Sequence, residues 1–166
     1  MTQRSIGSAD VVNRTVVERT SDLEFVVTRP FNAPARIVFE AWSNPDLFKQ
    51  WWIPKSGGMT LLSCEMDVRA GGTYRLVFSH PAFDKPVAFF GTYKEVTPHT
   101  RIVWSNEESD QGAVTTVTFE EDGGKTRVTY HERYPTKAAL DEALASSAEA
   151  LPEQFAQLDQ WLAGRQ

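Results

Sequence analysis

Apolar and polar positions alternate through the middle of the chain with the period of two that marks half-buried strands, and the rhythm changes near the ends. Residues 15–19, TVVER, and 23–31, LEFVVTRPF, are rich in β-branched and aromatic side chains and flank a Thr20-Ser21-Asp22 turn, so both read as strands. Pro30 belongs at a strand end or on an edge, because it has no N–H to give a ladder. Two short helices are predicted next. Pro34 sits in an opening turn, where its missing N–H costs nothing, and Ile37, Val38, Ala41 and Trp42 share one face. Asn44 followed by Pro45 caps a second short helix that runs through DLFKQWW and stops at Ile53-Pro54.

Six strand-like runs follow: MTLLSCEMDV, TYRLVFS, VAFFGTYKEV, RIVWS, AVTTVTFEE and TRVTYHERY, separated by Ala70-Gly71-Gly72, HPAFDKP, TPHT, NEESDQG and Asp122-Gly123-Gly124. Such short connections demand an antiparallel meander, since parallel neighbours need long crossovers. Tyr74/Leu76/Phe78, Ile102/Trp104, Val117/Phe119 and Val128/Tyr130 should each face one side of the sheet. After Pro135 the period becomes helical. Thr136 can cap the start, and Leu144, Ala148, Leu151, Phe155, Leu158 and Leu162 recur at spacings of three and four. Pro152 interrupts that pattern, which predicts a kink or two helices meeting near Ser146-Ser147, and Gly164 is a C-cap. The predicted fold is α+β: a curved antiparallel sheet around a long C-terminal helix, in the order β-α-α-β6-α, the arrangement called a helix grip. A curved sheet cannot touch a straight helix everywhere, so an apolar cleft between the two is expected. Residues 1–13 read as a disordered polar lead and 14–166 as a single domain.

Composition narrows the function. The 166 residues are 41% hydrophobic and 23% charged, with a net charge of −5 and no run of Lys or Arg. That balance argues against nucleic acid and anionic membranes as partners. Cys64 is the only cysteine, which excludes an internal disulfide and a cysteine-based zinc site. The opening MTQRSIGSAD has no apolar core and no window approaches a membrane span, so a cytoplasmic location is expected.

Two segments carry a family resemblance. RPFNAPARIVFEAWSNPDLFKQWW at 29–52 and CEMDVRAGGTYRLVF at 64–78 resemble the SRPBCC (START-like, birch-pollen-allergen-like) superfamily. Within it, the chain is similar to the bacterial branch related to the activator of the 90-kilodalton heat-shock-protein ATPase. The likeness continues through GTYKEVTPHTRIVWS, TVTFEEDGGKTRVTYHE and the last helix, covering roughly 23–163. It implies a cavity between sheet and helix that holds lipids, hormones or polyketides in some relatives, serves cyclases in a few, and gives way to protein contact in the co-chaperone. It transfers no catalytic residues. The branch often carries Gly-Trp-Gly in the last helix, where this chain has Ala150-Leu151-Pro152.

His80, His99 and His131 lack metal-ligand spacing, and Gly124-Lys125-Thr126 lacks the upstream glycine of a phosphate loop, so no metal and no cofactor is expected. The acidic loop 106–110 has no calcium-ligand alternation and reads as a solvated hairpin tip. Aromatic side chains are the strongest signal. Trp52, Tyr74, Phe78, Phe89, Trp104, Phe119, Tyr130, Phe155 and Leu158 are the expected pocket walls, with Glu132 or a tyrosine orienting one polar end of a ligand. The leading expectation is a small-molecule binding protein for an apolar or aromatic ligand, acting as a monomer or homodimer. An enzyme of the cyclase, hydratase or hydrolase kind and a chaperone-binding or regulatory domain are the alternatives.

Overall fold

The computed structural model describes residues 15–164, so the polar lead expected at 1–13 lies outside the described residues. Strands β1 (Val16–Arg19) and β2 (Glu24–Phe31) form a hairpin closed by Thr20 N–H donating to Glu24 O at 3.0 Å. Helices α1 (Ala35–Ser43) and α2 (Pro45–Phe48) follow. The meander comprises β3 (Thr60–Met66), β4 (Thr73–Ser79), β5 (Val87–Thr97), β6 (Arg101–Ser105), β7 (Val114–Asp122) and β8 (Lys125–Arg133). Helices α3 (Lys137–Leu144) and α4 (Leu151–Ala163) close the chain. Among the described residues, these eight strands join one antiparallel sheet in the order β1-β2-β8-β7-β6-β5-β4-β3. The fold is the expected helix grip.

Local chemistry accounts for the boundaries. Pairing of β1 with β2 stops at Thr28, so Pro30 lies where β2 has lost its neighbour on one side. Asn44 caps α2 by accepting the Asp46 N–H at 2.9 Å, with Pro45 in the first turn. Thr136 accepts the Ala139 N–H at 3.1 Å to start α3. The C-terminal helix is in two parts, broken by a short 3-10 turn over Ser147–Ala150. Pro152 therefore falls in the first turn of α4, where it removes no helical hydrogen bond.

One face of the sheet carries the core. Register places Phe25, Glu132, Thr115, Trp104 and Tyr93 side by side in one row across five strands, and Val27, Tyr130, Val117 and Ile102 in the next. Cross-strand partners share a face, so both rows look inward. Helix α4 seats Phe155 against Phe31 of β2 and Tyr130 of β8, with ring centroids 6.0 Å apart in each case. It is also stitched to residues 51–56. Gln157 Nε2 donates to the carbonyls of Trp51 and Ile53 at 2.8 Å, Gln154 Nε2 to Trp52 O at 2.6 Å, and Glu153 accepts from the Ser56 hydroxyl at 2.6 Å. Arg29, buried on the inner face of β2, lies 3.4 Å from Asp159 and ties the helix to the sheet.

Candidate functional site

The apolar face of α1 puts Trp42 at the centre of the inner surface. Its ring meets Trp51 at 4.8 Å, Phe155 at 5.9 Å and Tyr130 at 6.2 Å. Trp51 is fixed by its indole N–H, which donates to Ala41 O at 3.0 Å, and this aims the chain so that Trp52 stacks on Phe48 at 4.8 Å. Opposite these rings the sheet presents Tyr74 and Leu76 of β4, Phe89 and Tyr93 of β5, Trp104 of β6, Tyr130 of β8 and Met66 of β3. Between the two layers lies a hollow of about 70 Å³, open on one side, with Asn106 in its lining.

Behind one wall runs a buried polar chain. Asn106 Nδ2 donates to Ala113 O at 2.8 Å and to Thr115 Oγ1 at 3.1 Å. Thr115 in turn donates to Glu132 Oε2 at 2.6 Å, and the Tyr130 hydroxyl donates to the same oxygen at 2.8 Å. The Tyr134 hydroxyl donates to Oε1 at 2.7 Å. Glu132 is buried, and among the described residues it makes no ion pair; three hydroxyl donors stand in for the water it loses. The Tyr74 hydroxyl shares its proton between Ser105 O and Asn106 Oδ1, each 3.0 Å away. Burial pushes the Tyr74, Tyr93 and Tyr130 hydroxyls far above the ordinary phenol range, with Glu108 adding for Tyr74 and Glu132 for Tyr130. All three stay protonated at neutral pH.

Five of the residues expected to form pocket walls come together here: Trp52, Tyr74, Phe89, Trp104 and Tyr130. The other five do not line the hollow. Phe78 is buried beside Phe89 at 5.1 Å, further along β4. Phe119 is covered by Phe39 of α1 at 5.5 Å, while Phe155 and Leu158 are fully buried in the dry core beneath α4. Glu132 lies behind the Tyr130 wall. One cause links these differences. The aromatic hollow sits under α1 and α2, and α4 contributes no residue to its lining. Sequence reasoning missed Trp42, Phe48, Met66, Leu76, Tyr93 and Asn106. Leu76 and Tyr93 had a usable signal in strand alternation, whereas Asn106 looked like part of a solvated loop. A second cleft of about 190 Å³, between Asn32 and the α4 residues Asp159, Leu162 and Ala163, is separate from the aromatic one.

The remaining candidates have structural roles. His131 hydrogen-bonds Glu24 at 2.7 Å, His80 bridges Gly57 O and Ala82 N at 2.9 Å each, and His99 packs edge-on against Phe39. Burial raises the Cys64 thiol above its ordinary value, which keeps it a poor nucleophile. Among the described residues, no three His, Cys, Asp or Glu side chains are grouped to hold a metal, and no helix is long and apolar enough to cross a membrane.

A family model, Activator of Hsp90 ATPase homolog 1-like protein, matches residues 32–163, a span that includes every residue lining the hollow. The chain belongs to that family. Solved structures share the fold of this family member. A Rhodobacter sphaeroides protein is 23% identical with a TM-score of 0.80, over 92% of this chain and 99% of the other. A Mycobacterium smegmatis protein is 23% identical with a TM-score of 0.77 over the same shares. A Nitrosomonas europaea protein is 20% identical with a TM-score of 0.78, over 87% and 97%. No curated protein matches the chain.

Proposed function

We propose that this protein is a cytoplasmic binding module for a small, largely apolar or aromatic molecule, held between the sheet and the α1–α2 pair. The hollow itself carries this reading: rigid rings on both layers, one polar corner at Asn106 and Tyr74, and an opening past Phe89. Rings offer wide contact at low entropic cost, and a few convergent polar atoms set orientation. Its volume of about 70 Å³ is about half that of a cavity of roughly 150 Å³ known to take benzene. The closed part therefore receives one end of a ligand, and the rest extends over the exposed Phe89. Holding is favoured over reacting, because among the described residues no carboxylate, histidine or lysine lines the space, and Glu132 is already engaged by three hydroxyls.

The test is thermal stabilisation by a mixed library of lipids, aromatics and polyketides. Ligand at about a hundred times its Kd should add about 2.7 kcal/mol of stability. Leu76→Phe, which fills the hollow, should abolish the shift; a library without a single hit, or hits that persist in Leu76→Phe, would refute the reading.

A second reading is favoured by one observation. Leu62 on β3, Phe83 in the loop before β5 and Phe90 on the outer face of β5 are exposed large hydrophobics, and exposed apolar side chains can serve protein contacts. For a member of a family named after a chaperone ATPase activator, the partner would be that chaperone. Binding to a purified 90-kilodalton heat-shock protein, lost in a Phe83→Ser/Phe90→Ser double variant, would support it.

A further inference from the structure

We infer that the end of the ligand held in the hollow carries an uncharged carbonyl oxygen, that of a ketone, ester or amide, which accepts a hydrogen bond from the Tyr93 hydroxyl; the inference rests on the ligand-binding reading above. The lining holds two kinds of polar group. Tyr130 gives its proton to Glu132, Tyr74 gives its proton to the Ser105 and Asn106 oxygens, and the Asn106 amide is engaged by Ala113 O and Thr115 Oγ1. Each of these groups has made at least one bond, and a second lone pair left open beside it is common. The others have made none. The Trp42 indole N–H is buried without an acceptor. Among the described residues, the Tyr93 hydroxyl and the Trp52 and Trp104 indole N–H groups have no hydrogen-bond partner either. An indole nitrogen can only donate, and a buried donor left unpaired forfeits the water it held in the unfolded chain. The lining is therefore short of acceptors. Tyr93 is best placed to take one: it faces inward beside Trp104, and its oxygen, unlike the Trp42 nitrogen, is not fully enclosed, so an incoming atom can touch it.

Charge and size select the kind of acceptor. Burial first, then the neighbouring Cys64 and Asp67, holds the proton on Tyr93, so the hydroxyl is a donor throughout the neutral range. After burial, the field of Glu108, with Glu132 and Glu107 adding, likewise holds the Tyr74 proton. Carboxylates thus surround the space, and among the described residues no Lys or Arg lines it to offset them. A carboxylate or phosphate entering here meets repulsion and loses its water. An ammonium or a hydroxyl brings further protons to a lining already rich in idle donors. A carbonyl brings lone pairs alone, with neither charge nor proton. The volume of about 70 Å³ has room for that group and the carbon beside it, and the apolar body extends over the exposed Phe89.

Three probes of one shape test this at pH 7: acetophenone, α-methylstyrene, in which a methylene group replaces the carbonyl oxygen, and benzoate. Each is titrated by tryptophan fluorescence and melting temperature against the parent protein and Tyr93→Phe. The substitution removes no hydrogen bond of the free protein, so its melting temperature without ligand should not fall. Acetophenone should bind the parent protein and lose roughly fivefold in affinity in Tyr93→Phe, the fold-change of one net hydrogen bond, while α-methylstyrene binds both alike. Benzoate should bind more weakly than acetophenone. The carbonyl stretch of bound acetophenone should lie below its value in a hydrocarbon solvent and move back up in Tyr93→Phe. An equal loss for α-methylstyrene, no loss for acetophenone, or benzoate binding at least as tightly as acetophenone overturns the carbonyl inference. Failure of acetophenone to bind overturns it too: alone when other members of the mixed library still stabilise the protein, and together with the ligand-binding reading when none does.

Discussion

The inner face of the sheet has two halves built on the same alternation but finished differently. On β2, β7 and β8 the inward side chains Phe25, Val27, Phe31, Val117, Phe119 and Val128 are buried beneath α1 and α4. On β5 the inward Phe89 and Val87 remain 43% and 38% exposed, although they pair with the buried Leu76 and Phe78. The difference is one of reach. The 13 residues of α4 make a rod of roughly 20 Å. Eight strands at about 4.8 Å spacing extend roughly 34 Å from edge to edge. One helix cannot cover that width. The α1–α2 pair fills the middle, and the hollow forms where its cover ends. An apolar stripe thus tells which side of a strand faces in, and says nothing about whether anything will lie on it.

The sharpest test of this contrast sets Phe155→Ala beside Phe89→Ala in denaturant unfolding. Phe155 is fully buried, so its truncation should cost about 3–5 kcal/mol, whereas Phe89→Ala should cost less than about 1 kcal/mol. Similar losses at both would mean that the two halves are equally packed. Next in size is Glu132→Ala, which leaves Thr115, Tyr130 and Tyr134 without their acceptor; about 3 kcal/mol should be lost. Glu132→Gln keeps one acceptor oxygen and should recover part of that. Gly91→Ala probes the boundary between the halves. A Cβ there would stand 1.7 Å from Ser105 O, so β5 must shift away from β6, costing about 2 kcal/mol and closing or distorting the Tyr74 corner. Ligand-induced stabilisation should disappear in the same variant.

The smallest effect concerns the outer surface of the covered half. A hydrogen bond with His131 comes first among the causes that hold Glu24 below its ordinary value of 4.5, with Ser21 and Arg133 adding. A carboxylate lowered in the folded state contributes stability above its unfolded value and loses it as pH falls through the folded one. Melting temperature measured from roughly pH 5 to pH 3 should therefore decline slightly less steeply in Glu24→Gln than in the parent protein. An unchanged or steeper decline would remove Glu24 from the acid response.

Sequence reading went furthest where local chemistry decides the outcome. The hairpin spacing, the Asn44-Pro45 and Thr136 caps, and the helix break near Ser146 are each settled by a few adjacent residues, and each is present. Alternation also put Tyr74, Trp104 and Tyr130 on the inner face. The hollow's other contributors depended on distant neighbours. Trp42 was visible as the apolar face of a helix, yet only docking of α1 brings it against Tyr130. Gln154 and Gln157 look like polar positions of an amphipathic helix; they are buried because the free carbonyls of 51–53 lie where they can reach them. Asn106 turned inward from a loop that otherwise reads as solvated, since Ala113 O and Thr115 Oγ1 await its amide.

By itself, then, the amino-acid order determined the strands, their inward faces and the punctuation between elements, because dihedral preference and side-chain periodicity act over a handful of residues. Tertiary structure alone decided which helix lies over which strands, and so where the aromatic space opens and what surrounds Glu132. Those outcomes depend on the width of a sheet against the length of a helix, quantities that no short stretch of chain contains.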